Sequence, residues 1–443
     1  MTTAPSVLFG LNPLILSTVI LLLVYAALIA DTINRAIVSL MGACAMILSG
    51  LLTQDMATHA IDANTIGLLT GMMILVSISR RSGLFQYLAI LSARQAKASP
   101  WGILLILQIT TAVLSALLDN VTTVLLVVPV TLGITRALNV PAYPFLFAEI
   151  FASNIGGTAT LIGDPPNILI GSLADLSFNA FVVHLTPIIL VIMAVQAVLI
   201  HFIWGRSLHA TPEARARIMA LTAADEIEDK VLLRQSIWVI ACVILGFIFA
   251  RQLNLEPGTI AMLGATVLML LDNWEHHSEK QAENVHRTFT DVEWITIFFF
   301  IGLFITVHGV EVGGFLHWLA EKLVAATGGD LPKTGYAILW ASAILSAIID
   351  NIPFVATMIP LVKDMAPAFG GASHIEPLWW CLSLGACLGG NGTLIGASAN
   401  LTVAGIAERE GIRFSFWTYT KTAFPLMLIS VAISHVYVWM RYF

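Results

Sequence analysis

Apolar runs recur along almost the whole chain, near residues 14–32, 36–53, 64–79, 101–118, 121–138, 144–155, 163–174 and 181–204. They resume after a polar break, near 235–250, 258–272, 292–307, 336–349, 352–363, 377–389, 393–407 and 422–440. Several reach the roughly 20 residues that a helix needs to cross a bilayer. One core cannot hide them all, because 58% of the 443 residues are hydrophobic and only 11% are charged, against about 25% charged in soluble domains. In lipid every backbone polar group must be satisfied internally, so runs of this length specify helices. The chain reads as an all-α polytopic membrane protein.

The remaining composition closes off other classes. A net charge of −6 without a long basic run argues against nucleic acid as a partner. Cys44, Cys242, Cys381 and Cys387 lack metal-binding spacing and read as small core residues, so no metal or cofactor is expected. The first residues, MTTAPSVLFG, lack a basic signal-peptide region, and the first apolar run is expected to be a retained span.

The chain repeats itself. Gly71 and Gly302, Gly83 and Gly314, Ser115 and Ser346, Asp119-Asn120 and Asp350-Asn351, and Pro129 and Pro360 pair at an offset of 231. Thr160-Leu161-Ile162-Gly163 matches Thr393-Leu394-Ile395-Gly396, and Asn167 matches Asn400, at an offset of 233. A period this long indicates a duplicated domain, with halves at 10–205 and 235–443. Residues 206–234, rich in charge, read as a solvated linker.

Two regions of each half cannot be ordinary spans. A carboxylate at mid-bilayer costs at least about 2.5–3.5 kcal/mol, so 101–138, apolar on both sides of Asp119-Asn120, is expected to form a re-entrant hairpin with a buried tip. The run 144–174 is interrupted by NIGGTATLIGDPPN, where helical hydrogen bonding should fail. Unwound backbone at that depth must be buried or line a cavity. Three spans, a hairpin, a broken span and a last span give five crossings per half, so the second half enters upside down. The expectation is two inverted repeats, about ten transmembrane helices and two re-entrant hairpins, as in secondary transporters.

Basic residues orient this topology. Sixteen of the 21 Lys and Arg fall on the side reached after the first span, including Arg35, Arg80, Arg81, Arg136 and those of the linker. By the positive-inside rule that side is cytoplasmic. The segment 80–97 reads as an amphipathic helix anchored on the cytoplasmic surface.

The candidate site is assembled from the hairpin tips and the broken spans. Asn120, Thr122, Thr123, Asn154, Thr158, Asn167, Asn351, Asn391, Thr393 and Asn400 supply neutral donors and acceptors for a small solute. Asp119, Asp164 and Asp350, with Glu149 behind them, have no Lys or Arg beside them in sequence and are proton-coupling candidates. Capping of the return helices is the simpler role for the two tip aspartates, and an interfacial position is the simpler one for Glu149. His184, His201 and His308 read as packed or interfacial. Cys387, beside the second break, is a lesser candidate for solute contact.

The segments LLDNVTTVLLVVPVT, EIFASNIGGTATLIGDPPNILIGS, IIDNIPFVATMIP and GGNGTLIGASAN resemble the ion transporter superfamily. Within it they are similar to arsenical pump membrane proteins, NhaD-type sodium/proton antiporters and the melanosomal pink-eyed-dilution protein. The resemblance implies scaffold and transport domains, opposed hairpins, an elevator-type motion and a homodimer formed through the scaffold. Whether a cytoplasmic ATPase docks stays open. The carboxylate-transporting branch carries Ser-Asn-Thr motifs, which the Asp-Asn tips here replace, and this disfavours citrate or succinate as cargo. The leading expectation is arsenite or antimonite efflux driven by inward protons at the plasma (cell inner) membrane, with small inorganic solutes, protons and lipid as its partners. Sodium/proton antiport is the alternative. An intramembrane aspartyl protease is disfavoured, because LLDN and IIDN lack the tyrosine- and glycine-containing motifs of that class.

Overall fold

The computed structural model describes Val7 and residues 10–220 and 222–443, and every regular element among them is helical. Apart from Val7 and Gly10, the MTTAPSVLFG segment lies outside the described residues. The first half contains α1 (Pro13–Ala30), α2 (Arg35–Leu48), α3 (Gln54–His59), α4 (Ala63–Arg80), α5 (Leu84–Gln95), α6 (Pro100–Leu117), α7 (Asn120–Leu138), α8 (Tyr143–Thr158), α9 (Pro165–Leu173) and α10 (Phe178–Ile200). Next come α11 (Pro212–Ala220), α12 (Lys230–Ile248), α13 (Ala250–Leu253), α14 (Pro257–Asn273), α15 (Ser278–Thr290) and α16 (Trp294–Val312). The chain ends with α17 (Phe315–Thr327), α18 (Leu331–Ser346), α19 (Asn351–Met365), α20 (Glu376–Gly389), α21 (Ser398–Arg409) and α22 (Phe416–Tyr442).

Nine helices among the described residues are long and apolar enough to cross a membrane: α1, α4, α6, α7, α10, α12, α16, α19 and α22, with α10 and α19 each extended by the turn after it. The expected broken spans fall short of that length because each is cut in two, into α8 and α9 and into α20 and α21. The expected hairpins are α6–α7 and α18–α19. Outer helices show apolar side chains to the surroundings, as lipid contact requires: Leu23 in α1 is 65% exposed and Trp238 in α12 is 67% exposed. By contrast, α8 is buried from Pro144 to Thr158, and α20 from Leu378 to Gly389, so the two broken segments form the centre.

The halves interlock. Helix α4 packs along α14, and α16 packs along α2. Both crossings depend on a glycine: a Cβ would lie 2.6 Å from the Ala261 carbonyl carbon at Gly71, and 2.5 Å from that of Ser39 at Gly302. Gly83 and Gly314, before α5 and α17, share a left-handed φ of +81° and +84°. The sequence repeat at these positions therefore has a local cause in each case.

Three expectations change. Helix α5, expected to anchor in lipid, turns part of its apolar side to protein: Phe85, Ala89 and Ile90 are buried and the helix packs on α6 and α7, while Leu84, Tyr87 and Leu88 stay partly exposed. The linker is not simply solvated. Ala214 and Ile218 bury one side of α11 near α5 and α7, and the Glu228 N–H donates to the Ser82 carbonyl at 3.1 Å. Finally, Cys381 and Cys387 are core residues as expected, but Cys44 and Cys242 are exposed on the outer surface, where lipid replaces the core as the apolar partner.

Candidate functional site

The broken helices reach the hairpin tips through matched side-chain bonds. Ser115 Oγ donates to the Ser153 carbonyl and Ser346 Oγ to the Ala386 carbonyl, both at 2.6 Å. Thr160 Oγ1 donates to the Ala116 carbonyl at 2.6 Å, and Thr393 Oγ1 to the Ala347 carbonyl at 2.5 Å. Each bond in one half has its counterpart at the sequence offset of the repeat. The Ala116 and Ala347 carbonyls stand at the ends of α6 and α18, where helices leave carbonyls without an intrahelical donor, and all four hydroxyls tie a break to its hairpin.

Within the breaks, amide side chains replace missing helical hydrogen bonds. Asn167 Nδ2 donates to the carbonyls of Thr158 and Thr160 at 3.1 and 2.9 Å. Asn400 Nδ2 donates to those of Gly390 and Thr393 at 2.7 and 2.8 Å. Thr158 Oγ1 returns to the Asn154 carbonyl at 2.7 Å. Asn167, Asn400, Thr158 and Thr393 thus spend their donors on the backbone and shape the site from behind.

The three candidate aspartates differ in the residues on their C-terminal side. Asp119 caps α7, accepting from the Thr122 N–H at 2.8 Å and from the Thr122 hydroxyl. Asp350 caps α19, accepting from the Ile352 N–H at 3.0 Å. The capping role considered for these two residues is therefore real for both. Asp164 also precedes a helix, but Pro165 and Pro166 have no N–H to offer it, and it makes no side-chain capping bond. Its carboxylate is left for the tips. Asn120 Nδ2 donates to it at 3.2 Å, and Asn351 Nδ2 lies 3.3 and 3.5 Å from its two oxygens. One fully buried carboxylate thus joins both hairpins to the first break.

The network continues into the second half. Asn120 Nδ2 also donates to Asn154 Oδ1 at 3.1 Å, and Asn154 Nδ2 donates to Asn391 Oδ1 at 2.9 Å and Asn400 Oδ1 at 2.8 Å. Asn120 Oδ1, Asn391 Nδ2 and Thr123 Oγ1 are buried without a partner. An acceptor, a donor and a hydroxyl of this buried cluster thereby keep unused hydrogen-bonding capacity. Glu149 lies apart from this network: it is 1% exposed and accepts from the Thr131 hydroxyl on α7.

A cavity of about 480 Å³ opens beside the tips, lined by Arg35, Asp119, Glu293, Ser398 and Thr402 among apolar residues. Here the sequence reading needs correction. Asp350 is not unpaired: Arg35 Nη1 lies 3.7 Å from it, and Ser398 Oγ donates to it at 2.9 Å. Arg35 also donates to Ser398, so α2 grips both the second tip and the second break. Two other contributors were missed. Tyr25 on α1 donates to the Pro353 carbonyl at 2.6 Å, and Ser383 on α20 donates to Asn167 Oδ1 at 2.6 Å. Cys387 joins the same layer, its Sγ 3.5 Å from Asn167 Oδ1. The histidines are packed as expected: His184 stacks on Trp380 at 4.7 Å, His201 lies 4.5 Å from Trp101, and His308 meets Glu311.

Comparison with known proteins fits this geometry. Residues 25–385 match the family described as citrate transporter, CitMHS. An uncharacterized transporter of Mycobacterium tuberculosis is 40% identical over 433 residues, covering 97% of this chain and 99% of its own. The P protein of Homo sapiens is 33% identical over 504 residues, covering 95% of this chain and 59% of its own. Among solved structures, the YdaH transporter of Alcanivorax borkumensis shares the fold with a TM-score of 0.60 at 13% identity, over 97% of this chain and 98% of that one. The Neisseria gonorrhoeae antimetabolite efflux pump MtrF does so with a TM-score of 0.59 at 12% identity, over 98% and 96%.

Proposed function

The chain belongs to the CitMHS citrate transporter family and is a polytopic membrane transporter, not an enzyme; from that premise we propose that it expels arsenite or antimonite in exchange for inward protons. The observation that carries this reading is the meeting of Asn120 and Asn351, one from each hairpin tip, on the buried carboxylate of Asp164. A site of this kind senses both gates at once and can trade a proton for a hydrogen-bonding solute. At neutral pH arsenite is an uncharged trihydroxy acid. It matches open amide and hydroxyl atoms and requires no fixed cation. Citrate, with three carboxylates, would need one. The guanidinium on the cavity, that of Arg35, is already held by Asp350. Asp164, together with the caps Asp119 and Asp350, would carry the coupling protons.

In this reading residues 10–205 and 235–443 are inverted repeats, and 206–234 is a cytoplasmic linker at the plasma (cell inner) membrane. The matched hydroxyl-to-carbonyl bonds of the two hairpins support the duplication. An elevator-type movement would carry the hairpins and breaks against α2, α4, α14 and α16. Sodium/proton antiport is a second reading, favoured by the unpartnered Asn120 Oδ1 beside the Asp164 carboxylate, since such oxygens also suit a hard cation.

Everted vesicles test both. Arsenite uptake driven by a proton gradient, and abolished in the Asp119→Asn/Asp350→Asn double variant, is the expected result. No gradient-dependent arsenite uptake would overturn the reading, and a sodium-induced collapse of the pH gradient without any response to arsenite would establish the antiport alternative.

A further inference from the structure

Polarity is not shared equally between the two hairpins. At the positions where α6, α7 and α8 carry Gln108, Thr131 and Glu149, the second half carries Leu339, Val362 and Leu382. Three neighbouring helices of one half are therefore polar where their counterparts are aliphatic. Composition alone gives no reason for such a coincidence, and burial penalises it: Gln108 and Thr131 are 0% exposed and Glu149 is 1% exposed. The Thr131 hydroxyl donates to Glu149 Oε1. Glu149 Oε2 and both amide atoms of Gln108 are buried without a hydrogen-bond partner.

The surroundings of Glu149 supply no counter-charge. Helix α6 has no titratable side chain, and α7 has Asp119 at its cap and Arg136 at its far end, the latter paired with Glu410. His184 on α10 is occupied by Tyr442 and Glu376, and His201 after it faces Trp101. On α20 and α21 stand Glu376, Cys381, Cys387, Glu408 and Arg409, and among the described residues none of these is an ion-pair or hydrogen-bond partner of Glu149. A hard cation would draw about six oxygens, and only the carboxylate and one hydroxyl converge here. A proton needs one lone pair.

We propose that Glu149, held by Thr131, is a separate proton-binding site on α8, and that it marks a proton passage between the start of that helix and the central amides. Along α8 it stands six residues from Tyr143 and five from Asn154, about 9 and 7.5 Å at 1.5 Å per residue. The proton arrives from water at the α8 entrance, rests on Oε2 and departs toward the centre; no other bond changes. This deepens the proton-coupled reading and confines that passage to the first half, since Leu382 cannot hold a proton.

Infrared difference spectra of the purified full-length protein between acid and alkaline buffer test the site without reference to cargo. The wild type should show a carboxylic acid C=O band that is missing in Glu149→Gln. Thr131→Val should keep the band but displace it upward, because the hydroxyl no longer bonds to Oε1. Identical spectra for the wild type and Glu149→Gln, or an undisplaced band in Thr131→Val, would overturn the proposal. If Glu149→Gln fails to fold, the Thr131→Val displacement decides alone. Gradient-driven arsenite uptake should fall roughly ten-fold or more in Glu149→Gln. If the wild type itself moves no arsenite while the infrared band behaves as stated, the cargo assignment fails and the proton site stands.

Discussion

Replacing Asp164 with asparagine separates the needs of the fold from those of transport. The carboxylate accepts from Asn120 at 3.2 Å and from Asn351 at 3.3 Å. Hydrogen bonds to a charged group contribute about 1.5–3 kcal/mol each. An amide in the same place offers one oxygen and one NH2 group. Its oxygen, in the place of Oδ1, still accepts from both tips, which share that atom, but its NH2 group, in the place of Oδ2, faces the Asn351 donor that lies 3.5 Å away. Both bonds fall from the charged to the neutral class, a loss of about 1–1.5 kcal/mol each, which lowers occupancy of the arrangement with both tips docked by roughly ten- to a hundred-fold. Stability should respond differently, because removing a buried carboxylate with no cation beside it relieves a desolvation cost of comparable size. Asp164→Asn is therefore expected to melt within about 5 °C of wild type while gradient-driven uptake in proteoliposomes is lost. Wild-type initial rates with an unchanged dependence on the pH gradient would refute the role given to Asp164. So would a melting loss as large as that of Asn167→Ala, which strips the first break of its support.

Asn167→Ala and Asn400→Ala each deprive two carbonyls of their donor, and at about 1–3 kcal/mol per unsatisfied group both should lower the melting temperature markedly and by similar amounts. Gly71→Val and Gly302→Val insert bulk against a facing backbone, an overpacking cost of about 1–3 kcal/mol or more, visible as reduced yield of monodisperse protein on size-exclusion chromatography. Arg35→Gln removes an ion pair that is partly exposed, so its stability cost should stay below about 1 kcal/mol. Transport by that variant should nevertheless change, as measured by uptake kinetics, because α2 then loses its hold on the second tip. In detergent, a thiol-reactive probe should modify Cys44 and Cys242 and spare Cys381 and Cys387 until the protein unfolds, which mass spectrometry of the labelled peptides would resolve.

Hairpins and breaks were legible in the sequence because each violates a rule that lipid enforces. Asp-Asn inside an apolar run and Pro-Pro after a glycine-rich stretch cannot continue a span, and the repeat supplied a counterpart for each interruption. The division of labour among the aspartates was written there too. Asp119 and Asp350 precede residues with N–H groups to cap, and Asp164 precedes two prolines without them. Arg35 was not legible: it opens an apolar run like any membrane-surface arginine, and its partner lies 315 residues away in sequence. The burial of α5 and α11 was hidden for a related reason. An apolar stripe on a surface helix looks the same whether lipid or the protein's own hairpin covers it.

The interlock of α4 with α14 sets a timetable for biogenesis. Twelve residues of α4, among them Thr65, Ser77 and Ser79, are buried in the finished protein, largely by helices of the other half. Helix α4 ends at Arg80 and α14 begins at Pro257. At about 5–20 residues per second, a ribosome needs roughly 10–35 seconds to deliver that partner. Throughout that interval a partly polar helix must wait in the membrane with its mating face uncovered. The nascent first half is thus the stage most exposed to quality control, and slowing translation between α4 and α14 should harm yield more than slowing it anywhere after α16.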